Sequence, residues 1–205
     1  LSCCPISVLR YKEKGLNAHF IFHESDERIF KNLNVEKDID VLFFGALKAN
    51  RAKYINKLKD SNINFKVVGP ANGDGIMVNN KELNNFINRS KVVINFSSTG
   101  NKNKFYSHIT YPFNYLYPKG RIMITGLCGT LCVSEYAPAH NIIFSEDTLL
   151  EFRNPAEMIE KIKNILANNQ ELKNRTKKFE QECQFYSDSR YFNETFEKMA
   201  SNSHL

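Results

Sequence analysis

The stretch KGRIMITGLCG, residues 119–129, runs directly into TLCVSE, residues 130–135. It predicts a short helix that begins with two cations and ends at Gly129, followed at once by an apolar strand. Lys119 and Arg121 at the amino end of a helix oppose the helix dipole, at a cost of a few tenths of a kcal/mol, unless an anion binds there. In an α/β protein this is where a phosphate is held. The stretch therefore predicts a phosphate site, provided that buried strands surround it.

Apolar runs that stop at glycine, serine or a turn occur on both sides of this stretch. The clearest is DVLFFG, residues 40–45, whose continuous apolar run indicates a strand buried on both faces. The predicted strands are 40–45, 64–69, 91–96, 130–134 and 141–144, with 18–22 as a further strand or extended segment. The predicted helices are 51–60, 82–89, 119–129, 155–166, 171–186 and 190–199.

Strands that alternate with helices in this way are typical of an α/β fold with a doubly wound, mostly parallel Rossmann-like sheet. The last helices form a C-terminal helical tail. We expect an entry segment over residues 1–30, a Rossmann-like domain over 31–186, and a final helix and tail over 187–205.

Ligands of such sheets bind at the carboxyl ends of the strands, where the strand order reverses. Gly45, Lys48 and Arg51 follow the first strand, where glycine admits a ligand and cations meet phosphates. The alternative is that Lys48 and Arg51 form a solvated first helical turn. Glu135 ends a buried strand and either holds sugar or ribose hydroxyls or is a capping or surface residue.

Composition excludes several classes of function. The chain has 205 residues and a net charge of +6, but its lysines are scattered and no arginine cluster or basic-aromatic stripe marks a nucleic-acid surface. No apolar run approaches the roughly 18–20 residues of a membrane span. Five cysteines without a C-x-x-C pair predict neither a zinc site nor a disulfide framework, and we expect a reducing, cytoplasmic setting.

Familiar nucleotide and hydrolase motifs are absent from the sequence. The first strand is followed by a single glycine rather than G-x-G-x-x-G, and there is no G-x-x-x-x-G-K-[ST] and no G-x-S-x-G. The sequence therefore argues against the dinucleotide fingerprint, the P-loop and the α/β-hydrolase elbow.

The order of the remaining pieces resembles the C-terminal half of GT-B glycosyltransferases, in the CgeB-like, glycosyl transferases group 1 branch. The resemblance extends over about residues 15–199. It is carried by residues 40–45 with Arg51, 65–69, 92–97, Lys119 and Arg121 with Gly129, and the step from Tyr186 to Arg190 in the tail.

The resemblance implies that this half binds a nucleotide-sugar donor and needs no metal. Gly45 and Arg51 match the glycine and cation after the first strand, Arg121 the cation before the donor-binding helix, and Gly129 the glycine that ends it. The family's glutamate falls on Ile124 here. The candidate donor and phosphate-binding residues are Gly45, Lys48, Arg51, Gly69, Lys119, Arg121, Gly129 and Glu135.

Two functions follow from these expectations. In the first, the chain is the donor-binding part of a glycosyltransferase, with an N-terminal acceptor domain that supplies the catalytic base and with an acceptor that the sequence does not identify. In the second, it is a non-catalytic Rossmann-like binding or scaffold module, degenerate at Ile124.

Overall fold

The computed structural model describes residues 1–22, 25–47, 51–69, 76–98, 116–187 and 189–201, without the side chains of 189 and 190. Over these residues the centre of the protein is one sheet of five parallel strands in the order β2-β1-β3-β4-β5. The strands are β1 Ile39–Phe44, β2 Phe65–Val68, β3 Ser90–Asn95, β4 Leu131–Glu135 and β5 Leu150–Phe152. The predicted α/β class with a parallel, Rossmann-like sheet is confirmed.

Helices connect the strands and cover both faces of the sheet. They are α1 Pro5–Glu13, α2 Arg51–Lys59, α3 Asn80–Asn88, α4 Gly120–Leu127, α5 His140–Ile143, α6 Pro155–Ala167, α7 Asn169–Ser187 and α8 Ser189–Ser201. None of the helices in the described ranges has the length and apolar character that crossing a membrane requires.

The side chains of β1 show why the sheet must be covered on both faces. Val41 and Phe43 belong to the larger apolar cluster, whereas Leu42 and Phe44 belong to a second one. Successive side chains of a strand point to opposite faces, so a strand that is apolar throughout needs a helix layer on each side. The continuous run in the sequence therefore predicts the layering as well as the strand.

Capping residues fix where two of these helices begin. The Asn79 side chain accepts from the Glu82 backbone N–H at 2.9 Å, and the Glu82 carboxylate accepts from the Asn79 N–H at 2.8 Å. The Asn154 side chain caps α6 by accepting from the Glu157 backbone N–H at 3.0 Å, with Pro155 as the first helical residue, as the sequence predicts.

The prediction of a fifth strand at 141–144 is wrong. These residues lie in α5 and its end, where Ile143 and Phe144 are buried and Ile142 is 55% exposed. The fifth strand is Leu150–Phe152, whose three residues are too few to show an alternating pattern. Helix α1 was also not predicted, although Pro5 in its first turn is a helix-start signal. The domain bounds at 30 and 186 stay predictions.

Candidate functional site

The strand order reverses beside β1, because the chain leaves β1 for β2 on one side and then places β3 on the other. At this switch point the carboxyl ends of neighbouring strands diverge and leave a crevice. Gly45 follows β1, Ser97 and Ser98 follow β3, and Glu135 ends β4. The amino ends of α2 and α4 begin at the same edge.

Arg121, in the first turn of α4, reaches back across this crevice. Its Nε donates to the backbone oxygen of Phe44 at 2.9 Å, and its Nη1 donates to Oδ1 of Asn95 at 3.0 Å. The guanidinium also lies 5.2 Å and 5.0 Å from the ring centres of Phe43 and Phe44. Burial lowers the pKa of Arg121 to about 10, and Arg51 adds to the shift. The group remains charged at neutral pH.

Arg51 is the first residue of α2 and bridges the loops after β1 and β3. It donates to the backbone oxygens of Ala46 at 3.0 Å and Ser98 at 3.1 Å, and its buried Nε has no partner among the described residues. Burial lowers the pKa of Arg51, and Glu135 opposes the shift. The site therefore contains a desolvated cation with an unused hydrogen-bond donor.

Lys119 completes the group of cations. Its ammonium lies 3.2 Å from the centre of the Tyr117 ring. The pKa of Lys119 is lowered to about 8, first because the ammonium is buried and then because Arg51 and Arg121 lie close. Within the described ranges no ion pair joins Lys119 to an acidic side chain, and Glu135 offsets only part of the combined effect of burial and the two arginines on the pKa of Lys119.

Glu135 is the carboxylate that faces these cations. Its Oε2 accepts from the backbone N–H of Ser98 at 2.9 Å, which holds the side chain at the end of β4. Its charge raises the pKa of Arg51 and of Lys119, against the larger effect of burial. Among the described residues, one carboxylate against three cations leaves the site with a net positive charge.

Two glycines allow the backbone after β1 and β2 to pass close to Arg121 and to each other. Gly45 has φ +126°, and a Cβ there would lie 2.6 Å from Nη2 of Arg121. Gly69 has φ +112°, and a Cβ there would lie 3.0 Å from the backbone N of Gly45. Side chains are disfavoured at both positions by conformation and by space, so these glycines shape the floor of the crevice.

The structure brings together six of the eight predicted residues. Gly45, Arg51, Gly69, Lys119, Arg121 and Glu135 all lie at the carboxyl edge of the sheet. Their role in donor binding stays a prediction. Lys48 lies outside the described residues.

The structure does not bring Gly129 to this crevice, and its role in donor binding stays a prediction. Gly129 has φ +62° and precedes β4, at the amino edge of the sheet, where a Cβ would lie 2.2 Å from Nδ2 of Asn32. The reason is geometric: α4 runs antiparallel to the strands, so its amino end reaches the carboxyl edge and its carboxyl end reaches the opposite one. Ile124, on the position of the family's glutamate, packs against the second apolar cluster.

Four polar residues of the site were not predicted. Asn95, Ser97 and Ser134 are fully buried, and Ser98 is bonded to Glu135 and Arg51. The signal for them is present in the sequence, because each follows or ends an otherwise apolar strand. The described residues contain no group of three or more His, Cys, Asp or Glu side chains arranged to hold a metal ion.

Comparisons with known proteins agree on the fold. Sucrose-phosphate synthase from Thermosynechococcus elongatus superposes with a TM-score of 0.67 at 12% identity, over 97% of this chain and 56% of that one. HepE from Anabaena, in complex with UDP and glucose, gives 0.67 at 14% identity, over 98% and 62%. The chain thus spans somewhat more than half the length of these two proteins.

A third solved structure is matched over nearly its whole length. The C-terminal domain of the glycosyl transferase group 1 family protein LpcC from Francisella tularensis gives a TM-score of 0.54 at 10% identity, over 78% of this chain and 97% of that domain. A search of curated protein sequences finds no match. The sequence model of the family described as Glycosyl transferase-like matches residues 50–197. The chain therefore belongs to the Glycosyl transferase-like family and has the fold of GT-B glycosyltransferases, as its resemblance to them predicts.

Proposed function

We propose that the carboxyl edge of this sheet binds the diphosphate of a nucleotide-sugar donor, and that the chain is the donor-binding part of a glycosyltransferase. The observation that carries the proposal is the convergence of Arg51, Lys119 and Arg121 on one crevice with Glu135 as the facing carboxylate. A bound diphosphate would relieve the repulsion among the cations. In transfer it would also be stabilised as its negative charge develops when the bond to the sugar breaks.

The relatives support the choice of ligand. HepE is described in complex with UDP and glucose, and a mutant of the T4 phage protein BGT in complex with UDP-glucose. A second part of the protein would bind the acceptor and supply the catalytic base, in keeping with the share of the relatives' length that this chain spans. Glu135 would take hydroxyl groups of the ribose or the sugar, since a carboxylate oxygen accepts from them.

Finer assignments belong to the same proposal. Because the cations themselves neutralise the diphosphate, we expect no metal ion to be needed, and EDTA should leave nucleotide affinity unchanged. We also propose a cytoplasmic setting and a place in the CgeB-like branch.

Isothermal titration of the chain with UDP, GDP and inorganic pyrophosphate tests the proposal. Arg121→Gln should weaken the affinity of the preferred ligand by about 30-fold, because a hydrogen bond to a charged group contributes about 1.5–3 kcal/mol. Arg89→Gln is the matched control, since Arg89 is paired with Asp38 at the amino edge. It should leave the affinity unchanged.

The outcomes separate the two candidate functions. If none of the three ligands binds at millimolar concentration, the chain is a non-catalytic binding or scaffold module at this edge. If the ligands bind but Arg121→Gln and Arg89→Gln lower the affinity equally, the ligands respond to the overall positive charge of the protein. The assignment of the site is then wrong.

A further inference from the structure

A buried polar bridge lies beneath the cations and joins the carboxyl ends of β3 and β4. Asn95 and Ser134 are register partners in the two strands, and both are fully buried. The Nδ2 of Asn95 donates to Oγ of Ser134 at 2.8 Å, while its Oδ1 accepts from Arg121. Polar side chains in the centre of an apolar sheet are costly unless every group is bonded.

The bonding pattern fixes which way the Asn95 amide faces. Arg121 is a donor only, so the atom that faces it must be the amide oxygen. On the other side, Oγ of Ser134 donates to the backbone oxygen of Glu135 at 3.0 Å and so accepts from the amide nitrogen. Turning the amide over would place its NH2 group against the guanidinium, so the contact with Arg121 determines the orientation.

The bridge therefore connects the two functional ends of the site. At one end it holds Arg121, which a carbonyl of β1 and the space above Gly45 also restrain. At the other end it meets the backbone oxygen of Glu135, which also accepts from Oγ of Ser97 at 2.6 Å. The bridge therefore restrains the Arg121 guanidinium on one side and the Glu135 backbone, next to the Glu135 carboxylate, on the other.

We propose that Asn95, acting through Arg121 and braced by Ser134, is a positioning residue that aims the guanidinium at the donor's diphosphate in register with Glu135. The inference rests on the proposed function of the site. Asparagine suits the task because its amide is neutral: it orients the guanidinium without neutralising it. An aspartate would accept the same bond but would pair with Arg121 and reduce the charge available to the ligand.

A double-mutant cycle with UDP as the probe tests the inference. Asn95→Leu should weaken UDP about tenfold in the wild-type background, because the misplaced guanidinium loses part of a charged hydrogen bond. In the Arg121→Gln background the same change should weaken UDP by less than about twofold, since the residue it positions is gone. Equal losses in both backgrounds would overturn the proposal.

Asn95→Asp separates positioning from a purely structural role. It keeps the acceptor for Arg121, so a structural role predicts a smaller loss of affinity than for Asn95→Leu. If Asn95 must leave the charge of Arg121 free for the ligand, the loss of UDP affinity should be at least as large, about tenfold or more. The new carboxylate would compete with the phosphate for the guanidinium. A loss clearly smaller than that of Asn95→Leu would show that any acceptor can orient Arg121 and would contradict the stated need for a neutral amide.

Asn88→Leu is the matched control for removing a buried amide. Asn88 is 2% exposed and bonds the backbone of Lys31, Leu33 and Asn84, away from the crevice. It should lower the melting temperature but leave UDP affinity unchanged. If the wild-type chain binds none of the diphosphates, the proposed function fails and the inference falls with it. If it binds them and the cycle is additive, only the inference fails.

Discussion

The amino and carboxyl edges of the sheet both carry lysine and arginine, but Arg51 and Arg121 at the carboxyl edge donate to neutral oxygens, whereas two cations at the amino edge have aspartates as partners. There Arg89 pairs with Asp38, and Lys91 lies 2.7 Å from Oδ1 of Asp40. At the carboxyl edge the cations instead face one another across the crevice. The same residue types therefore stabilise the fold at one edge and leave it electrostatically strained at the other.

Lys37 and Lys119 show that a lowered pKa does not by itself identify a binding site. The pKa of each is lowered to about 8, chiefly by burial. Lys37 donates to the backbone oxygens of Asn88 and Ser90 and to the Thr130 hydroxyl, at 2.8–3.0 Å. Within the described residues no such hydrogen bond is found for Lys119, which has Arg51 and Arg121 as neighbours. The closeness of these cations, more than the pKa shift, indicates where an anion belongs.

The largest contrast between the edges is expected from a matched pair of glycine substitutions. Gly45→Ala and Gly129→Ala both place a side chain at positive φ within 2.6 Å of another side-chain atom. Each should lower the free energy of unfolding by about 1–3 kcal/mol, measured by urea denaturation. Only Gly45→Ala should also weaken UDP, by about tenfold, because its Cβ displaces Arg121. A similar loss of affinity in Gly129→Ala would remove the functional distinction between the edges.

The pH dependence of binding should be the next largest effect. Lys119 is charged below its pKa of about 8 and loses its charge above it. UDP affinity should therefore fall about fivefold from pH 7 to pH 9, relative to the change in the Lys119→Arg variant. The arginine keeps its charge over this range, so the comparison with this variant removes the effect of the ligand's own titration. Identical pH profiles for the two proteins would show that Lys119 does not contact the anion.

The same shift has the opposite sign for the unliganded fold. The pKa of an unfolded lysine is about 10.4, so between about pH 8 and pH 10 the unfolded chain holds protons that the folded chain has released. Stability that depends on Lys119 and Lys37 therefore rises with pH over that window and is lowest below pH 8.

The smallest effect is expected from the carboxylate of the crevice. Glu135→Gln removes a negative charge beside three cations but keeps an acceptor for the Ser98 N–H. Pyrophosphate affinity should rise about threefold, because screened repulsion is lost. The affinity for UDP should rise less, because the amide is a weaker acceptor for the hydroxyl groups of UDP.

Glu180→Gln, at the amino edge beside Asn32, is the control and should change neither affinity. No change for pyrophosphate in Glu135→Gln would place the carboxylate too far from the anion to matter.

The sequence predicts the central sheet well because burial on both faces leaves a strong local pattern. Strands β1 and β3 contain the apolar runs 41–44 and 92–94, and a helix-start signal such as Asn154-Pro155 depends only on neighbouring residues. The fifth strand was missed because residues 141–144 have the composition of a strand but pack by one helical turn. Composition does not distinguish these two states over four residues.

The site was predicted only in outline because its geometry depends on contacts between distant parts of the chain. Arg121 was identified from its place at a helix start, but its partner Asn95 lies 26 residues earlier. The sequence did not show that Gly129 lies at the opposite edge, because a resemblance by order along the chain does not state which edge of the sheet a residue reaches. Asn95 and Ser134 would have been found by asking why polar residues end apolar strands.

The contact between α4 and α7 has a practical consequence for following the protein in solution. Gly126 on α4 admits Cys183 of α7 so closely that a Cβ there would lie 2.2 Å from the Cys183 sulfur. Burial raises the pKa of Cys183 well above its ordinary value, and thiols react with labelling reagents as thiolates. The rate at which Cys183 is labelled therefore reports how often α7 separates from α4, the helix that carries Arg121, and no cysteine has to be introduced for the measurement.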